Sequence, residues 1–274
     1  MKITYYGTAA GEAWPGVFCQ CHVCQEARRL GGKNIRTRSQ ALIDDALLLD
    51  LPPDNYLHSL YYGLDLSRVR TLLITHSHSD HFYPEDLEFL QAAYSNTYKD
   101  ILQVYGNDAV ERGVLRACGS LGGEKYHYMF HLAQANQPFT AGGYTVTPLR
   151  ATHAREENCL IYHIAKDGKS VLYAHDTGAL TEENLDTLSK CSGKLSLVSL
   201  DCTSQQHRDG AYHMGLMDAA EQKDILLAQG LADEDTVWVV NHFSHNGGWL
   251  HEEMAAQAAR FGMITSYDGM TVTF

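Results

Sequence analysis

Short apolar runs that stop abruptly on polar residues recur along this chain. TLLITH (71–76) is one, and SLVSLDC (196–202) and TVWVVNH (236–242) repeat the pattern, which predicts strands buried on both faces. ITYYGT (3–8) reads as a strand, and YTVTPLRATH (144–153) alternates as a half-buried strand does. QALIDDALLLDL (40–51) predicts a hairpin turning at Asp44 and Asp45. NCLIYHI and SVLYAHD flank AKDGK, where Asp-Gly suits a tight turn, and the same dipeptide in MITSYDGMTVTF predicts a closing hairpin.

Helices alternate with these strands. Pro84 and the acidic turn of PEDLEFLQAAY (84–94) announce a helix N-terminus. DAVERGVLRACG (108–119) predicts a helix capped by Gly119, and two more follow, from about Met214 to Gln229 and over HEEMAAQAARFG (251–262). Strands with helices interspersed, without strict βαβ regularity, imply α/β or α+β layers. The chain shows no repeat, low-complexity segment or Pro-rich linker, so residues 1–274 are expected to form a single domain.

A hydrophobic content of 45% and a charged content of 20% describe an ordinary globular protein. No apolar run reaches the ~18 residues of a membrane span, and MKITYYGT lacks the apolar core of a signal peptide. The expected location is therefore cytoplasmic, where clustered thiols bind metal more often than they form disulfides. A net charge of −12 argues against a broad nucleic-acid surface and against a nucleic-acid partner. It is compatible with a small anionic substrate if metal ions reverse the field locally.

The chemistry concentrates in THSHSDHF, with His76, His78, Asp80 and His81 on the loop that leaves a buried strand. Imidazoles and carboxylates are ligands that zinc, manganese and iron accept. Three further apolar runs also end on such groups, at His153, Asp176 and His242. Together they satisfy two adjacent ions: His76, His78 and His153 on one, Asp80, His81 and His242 on the other, and Asp176 between them. His175, beside Asp176, should face the opposite way, and His127, His131 and His163 read as packing or surface residues. His207 lies on a polar loop near the expected rim. HEEMA is not a metalloprotease helix, because Ala255 stands where a second histidine is needed.

The order HSHSDH, His153, Asp176, His242 resembles the metallo-β-lactamase superfamily. The resemblance implies a four-layer αββα sandwich of two mixed β-sheets flanked by helices, with a dinuclear site at one edge of the sheets. GTAAGEAWPGVFCQCHVC (7–24) is similar to the N-terminal stretch of the phosphoribosyl cyclic phosphodiesterases of phosphonate breakdown. That likeness implies a structural zinc held by Cys19, Cys21, Cys24 and His245, the last lying three residues after His242; His22 is left out of the set. It also suggests a homodimer.

Two divalent ions (Zn²⁺, Mn²⁺ or Fe²⁺) about 3.5–4 Å apart can share a hydroxide that attacks phosphorus or a carbonyl. The expected activity is a phosphodiesterase acting on a small cyclic or sugar-linked phosphodiester, with Asp80 and His213 as candidate catalytic residues. His213 is read at a helix N-terminus, as the acid or phosphate contact. The rival readings are a tRNA 3′-end-type ribonuclease, a lactone, lactam or thioester hydrolase, and a non-catalytic metal-binding protein of cofactor biosynthesis. No membrane partner is expected.

Overall fold

Alternation within the first strands already divides the molecule into layers. In β1 (Lys2–Gly7), β2 (Gln40–Ile43) and β3 (Leu47–Leu49), Ile3, Tyr5, Ala41, Ile43, Leu47 and Leu49 point to one side, and Tyr6, Leu42 and Leu48 to the other. The computed structural model describes residues 1–274. It continues the first sheet with β4 (Thr71–Leu73), β5 (Leu102–Gly106), β6 (Gly122–Gly123) and β7 (Tyr128–Leu132). The second sheet begins with β8 (Phe139–Ala141), β9 (Tyr144–Arg150), β10 (Leu160–Lys166) and β11 (Lys169–Ala174). It is completed by β12 (Leu197–Asp201), β13 (Val237–Asn241) and β14 (Ile264–Thr265), while β15 (Met270–Thr273) returns to the first sheet. The strand orders are β15-β1-β2-β3-β4-β5-β7-β6 and β14-β13-β12-β11-β10-β9-β8. Each sheet mixes parallel and antiparallel neighbours.

Six α-helices cover the outer faces: α1 (His22–Leu30), α2 (Asn55–Tyr62), α3 (Asp108–Cys118), α4 (Glu182–Ser189), α5 (Leu216–Ala228) and α6 (His251–Ala259). Three hydrophobic cores fill the gaps between the four layers. One lies between the sheets, where Tyr5, Leu49 and Leu73 meet Tyr162, Tyr173 and Val239. A second packs α3 on the first sheet through Val110 and Val114. The third packs α1, α4, α5 and α6 on the second sheet through Ala27, Leu188, Leu226 and Met254. This is the αββα sandwich.

The hairpins over 40–51 and 158–176 form as their turn residues imply, and Gly119 caps α3 in the left-handed conformation. Three expectations need correction. Residues 264–273 are not a hairpin, because β14 pairs with β13 in the second sheet and β15 pairs with β1 in the first. The chain crosses between sheets there because the buried Asp268 carboxylate accepts from Thr8 Oγ1 and from the Thr37 amide and hydroxyl, each at 2.6 Å. Residues 84–90 form a 3₁₀ helix rather than an α-helix over 84–94. Finally, α1, α2 and α4 stand where no helix was expected.

The sandwich buries several histidines in neutral form. Burial lowers the pKa of His58, His163 and His251 to about 4 each. An unfolded imidazole titrates near 6.5, so between about 6.5 and 4 the unfolded chain binds more protons and stability falls as pH falls. Asp268, raised to about 6 by burial, acts in the opposite direction, as do His81 and His213 with their raised values, while His153 and His175 are lowered and act with the first three. Urea unfolding should accordingly show a lower midpoint at pH 5 than at pH 7; an equal or higher midpoint at pH 5 would mean these imidazoles are not held neutral.

Candidate metal centre

Parallel strands deliver their C-terminal ends to one rim. β11, β12 and β13 run parallel, and β9 shares their direction because it is antiparallel to β10, which is antiparallel to β11. The groups at or just beyond their ends, His153, Asp176, Asp201 and His242, therefore emerge together. In the first sheet β3 and β4 are parallel and bring Asp50 and the His76–His81 loop to the facing edge. Three of these strand ends curl through positive φ: Asp50 (65°), Asp176 (53°) and His242 (65°). Backbone strain of this kind in non-glycine residues concentrates at functional sites.

The side chains converge on Asp176. Its Oδ2 lies 3.2 Å from His76 Nε2, 3.2 Å from His81 Nε2 and 3.4 Å from His153 Nε2. Its Oδ1 lies 3.1 Å from His213 Nδ1 and 3.7 Å from His242 Nδ1. His78 joins through Nδ1, 3.1 Å from His153 Nε2, and Asp80 Oδ2 lies 3.4 Å from His81 Nε2. Two sets, His76/His78/His153/Asp176 and Asp80/His81/Asp176/His242, each gather their donor atoms within 4.8 Å of one another. A third overlapping set joins Asp176 and His242 to Asp201 and His213.

The surrounding hydrogen bonds assign the tautomers. Asp50 accepts from the Thr75 amide (2.8 Å) and hydroxyl (2.9 Å) through Oδ1 and from His81 Nδ1 (2.7 Å) through Oδ2. With its proton given to Asp50, Thr75 Oγ1 accepts from His76 Nδ1 at 3.0 Å. On the other side, Thr203 Oγ1 donates to Asp201 (3.0 Å) and accepts from His242 Nδ1 (2.8 Å). His76, His81 and His242 thus carry their protons outward and turn Nε2 lone pairs inward. Lone pair then faces lone pair: His81 Nε2 and His242 Nε2 stand 3.1 Å apart, and His76 Nε2 and Asp176 Oδ1 are buried with no hydrogen-bond partner. Acceptors packed this closely need cations between them, so the residues fit divalent metal ions.

The same carboxylates and imidazoles also shift one another's ionisation, protons competing for the inward positions that cations would fill. Burial pushes the Asp176 carboxyl up, but His242, His213, His76 and His81 outweigh it and hold the group well below the usual carboxylate range. Asp80 is likewise lowered, burial being overcome chiefly by His81 and His242. Burial pulls His81 down, yet Asp50, Asp80 and Asp176 raise it well above an ordinary histidine. For His213 burial is outweighed by Asp176 and Asp201, and its pKa rises to about 11. His213 is not at a helix N-terminus as expected: it precedes the Gly215 cap of α5. Its loop reaches Asp176 through two glycine contacts. A Cβ on Gly215 would stand 1.8 Å from the His207 carbonyl, and one on Gly178 would stand 2.4 Å from the Gly210 carbonyl.

His78, Asp80, His153, Asp176, His213 and His242 line an open cavity of about 210 Å³ with Gly11, Glu12 and Ser244. Larger cavities of about 540 and 520 Å³ lie elsewhere and contain none of the metal-competent clusters. His175 turns away, with Nε2 on Ser199 Oγ at 2.8 Å, and His207 is exposed outside the cavity lining.

A second cluster sits nearby. Cys19, Cys21, Cys24 and His245 also bring their donor atoms within 4.8 Å of one another. His245 Nδ1 faces Cys21 Sγ at 3.5 Å and Cys19 Sγ at 3.8 Å, while its Nε2 faces Glu12 Oε1 at 3.7 Å. Ser244 Oγ also donates to Glu12, so one carboxylate touches both the cluster and the cavity. The Cys21 amide lowers the Cys19 thiol pKa, whereas burial pushes Cys24 up to about 12. Three thiols and an imidazole are a closed tetrahedral set that suits zinc. His22, on the exposed side of α1, is outside it.

Sequence reasoning missed the residues behind the ligands: Asp50, Thr75, Asp201, Thr203 and Glu157. Glu157 holds the His76–His78 loop by accepting from the Ser77 amide (2.8 Å), Ser77 Oγ (2.6 Å) and Asn107 Nδ2 (2.8 Å). A signal existed for two of them, since LLLD and VSLD are also apolar runs ending on a carboxylate.

Residues 52–232 match the family model described as the β-lactamase superfamily domain. No curated protein matches the chain. Among solved structures, a diphosphatase from the PhnP family superposes with a TM-score of 0.76 at 20% identity, covering 100% of this chain and 97% of that one. Zn²⁺-bound PqqB from Methylobacterium extorquens gives 0.71 at 17%, with 100% of both chains covered. The short form of human tRNase Z gives 0.66 at 17%, covering 100% and 99%. At these identities the likeness establishes the shared fold.

Proposed function

Because this chain belongs to the β-lactamase superfamily, whose members are mostly metal-dependent hydrolases, we propose that it is a dinuclear metal-dependent phosphodiesterase acting on a small phosphodiester. The observation that carries this reading is Asp176, a buried carboxylate with imidazoles on both of its oxygens. In this reading His76, His78 and His153 would hold one ion, Asp80, His81 and His242 the other, and Asp176, common to both sets, would serve both. Such an ion pair supplies Lewis acidity and a nucleophile at neutral pH.

The chain's own groups account for the remaining requirements. Asp50 and the Thr203–Asp201 pair orient His81 and His242 and keep their Nε2 lone pairs inward. His213, in the cavity lining with its side chain partly exposed and Nδ1 3.1 Å from Asp176 Oδ1, is placed to give a proton to a leaving alkoxide. The 210 Å³ cavity suits a small substrate, and the net charge of −12 opposes the RNA-processing alternative suggested by the tRNase Z fold.

The test is metal content together with turnover of bis(p-nitrophenyl) phosphate. Bound metal without turnover of this or any alkyl phosphodiester would favour the binding-protein alternative. His213→Ala is expected to slow a diester with a poor alkoxide leaving group about 10²- to 10⁴-fold. A p-nitrophenolate leaving group needs little protonation and should lose far less. Equal retention of both rates would remove His213 from the role of acid.

A further inference from the structure

One stretch of the surface is apolar and takes no part in either metal cluster. α2, over NYLHSLYY, holds no Asp, Glu, Lys or Arg, and only its Asn55 and His58 are buried. Its outward side presents Tyr56 and Tyr61, each 74% exposed, with Leu57 and Leu60 between them, 39% and 58% exposed. Residues three and four apart are neighbours on a helix, so these four side chains make one continuous stripe. A helix that coats a globular protein ordinarily turns its polar face to water; α2 turns its tyrosines and leucines there instead.

The apolar surface continues past Tyr56. The 3₁₀ helix over 84–90 and the chain leading to Tyr98 bring in Phe89 and Tyr94, 53% and 60% exposed, edge to face with ring centroids 5.4 Å apart. With Tyr56, Leu66 and Tyr98 they wall an open groove of about 540 Å³. The only charged side chain of its lining, Asp86, accepts from Asn55 Nδ2 at 2.8 Å. The groove shares no residue with the metal-site cavity, so what covers it is a question separate from the proposed activity.

Charge, area and pattern together point to the occupant. Chains of net charge −12 repel one another unless they meet on a neutral face, and this face is neutral. The stripe and the groove offer no Lys or Arg to an anionic lipid or a nucleic acid, and their one carboxylate is already held by Asn55. At about 200 Å² for a whole aromatic side chain, Tyr56, Tyr61, Phe89 and Tyr94 leave about 500 Å² open before the leucines are counted. That is most of the ~800 Å² that each partner of a stable pair contributes. The pattern is the most specific of the three. Tyr-Leu-x-x-Leu-Tyr over 56–61 reads the same from either end, which is the self-complementarity that a two-fold contact requires.

We propose that α2 and the groove beside it are the face on which two copies of this chain pair about a two-fold axis. The two helices run antiparallel, with Leu57 against the partner's Leu60 and Tyr56, at the edge of the groove, against the partner's Tyr61.

Sedimentation velocity of the full-length, metal-loaded chain at micromolar concentration should show a dimer. Leu57→Lys and Leu60→Glu each change one exposed side chain and should leave circular dichroism and metal content unchanged. Symmetry places each change twice in the pair, so either variant alone should dissociate roughly 10²- to 10³-fold more readily and sediment as a monomer. Mixed in equal amounts, the two variants should regain the dimer, because the introduced ammonium then faces the introduced carboxylate and the second contact keeps both its leucines. A monomeric parent protein would overturn the proposal, and its flotation with phosphatidylcholine vesicles would give the face to a membrane instead. Single variants that remain dimeric would place the interface elsewhere, and a mixture that stays monomeric would overturn the antiparallel pairing.

Discussion

Asp176→Ala is expected to cut phosphodiester turnover by more than about 100-fold, beyond the 10- to 100-fold typical of losing an outer-shell partner of a metal site. Its two oxygens face His76, His81, His153 and His213 at 3.1–3.4 Å. Removing them takes away the anion that lies between both proposed ligand sets. The active-site ions should be lost together, while zinc at the cysteine cluster stays. Metal analysis should therefore show one ion per chain in the variant and three in the parent protein. Asp176→Asn, which keeps one acceptor oxygen and the shape, should retain more metal than the alanine variant. Unaltered metal content and turnover in Asp176→Ala would sink the bridging role.

The second large effect concerns stability. Cys21→Ser removes one thiolate from the Cys19/Cys21/Cys24/His245 cluster. A 10- to 100-fold loss of zinc affinity, the cost of an outer-shell partner and so the least expected for a direct ligand, corresponds to about 1.4–2.8 kcal/mol, and for a chain of this size each kcal/mol moves Tm by roughly 2–4 °C. A fall of at least roughly 3–10 °C is expected, with one zinc lost per chain. Catalytic-metal occupancy should drop with it, because the cluster anchors the turn from His242 to His245 and, through Glu12, the cavity wall. The serine variant exposes nothing apolar, so an unchanged Tm with unchanged zinc content would reduce the cluster to three free thiols.

The metal-competent residues were legible because each sits where a short apolar run breaks. His76, His153, Asp176 and His242 all come after strands whose composition is unmistakable. Asp50 and Asp201 carry the same mark, but a carboxylate at a strand end is common, and only the distance to His81 or the link through Thr203 distinguishes them. The unexpected helices α1 and α2 have a similar explanation. α1 has only a short apolar stripe, Cys24 and Ala27 buried with Val23 half-buried, within the charged HVCQEARRL, and the stripe overlaps the cysteine cluster. In α2 the tyrosines and leucines that suggest a buried face are largely exposed.

The sequence by itself determined most of the strands and turns, the order of the metal-competent residues and the chemistry those residue types allow, because these depend on neighbours within a few positions. Tertiary structure alone decided which of them meet. Cys19 and His245 are 226 positions apart, and local periodicity carries no information over that distance. The closing Asp-Gly turn shows the same limit. Its local preference is for a hairpin, but its flanks pair with β13 and β1 in different sheets and the buried Asp268 accepts from Thr8 and Thr37 between them. Tautomers and lone-pair directions depend on which groups the two sheets bring within hydrogen-bond distance, and that is set by the packing of the four layers.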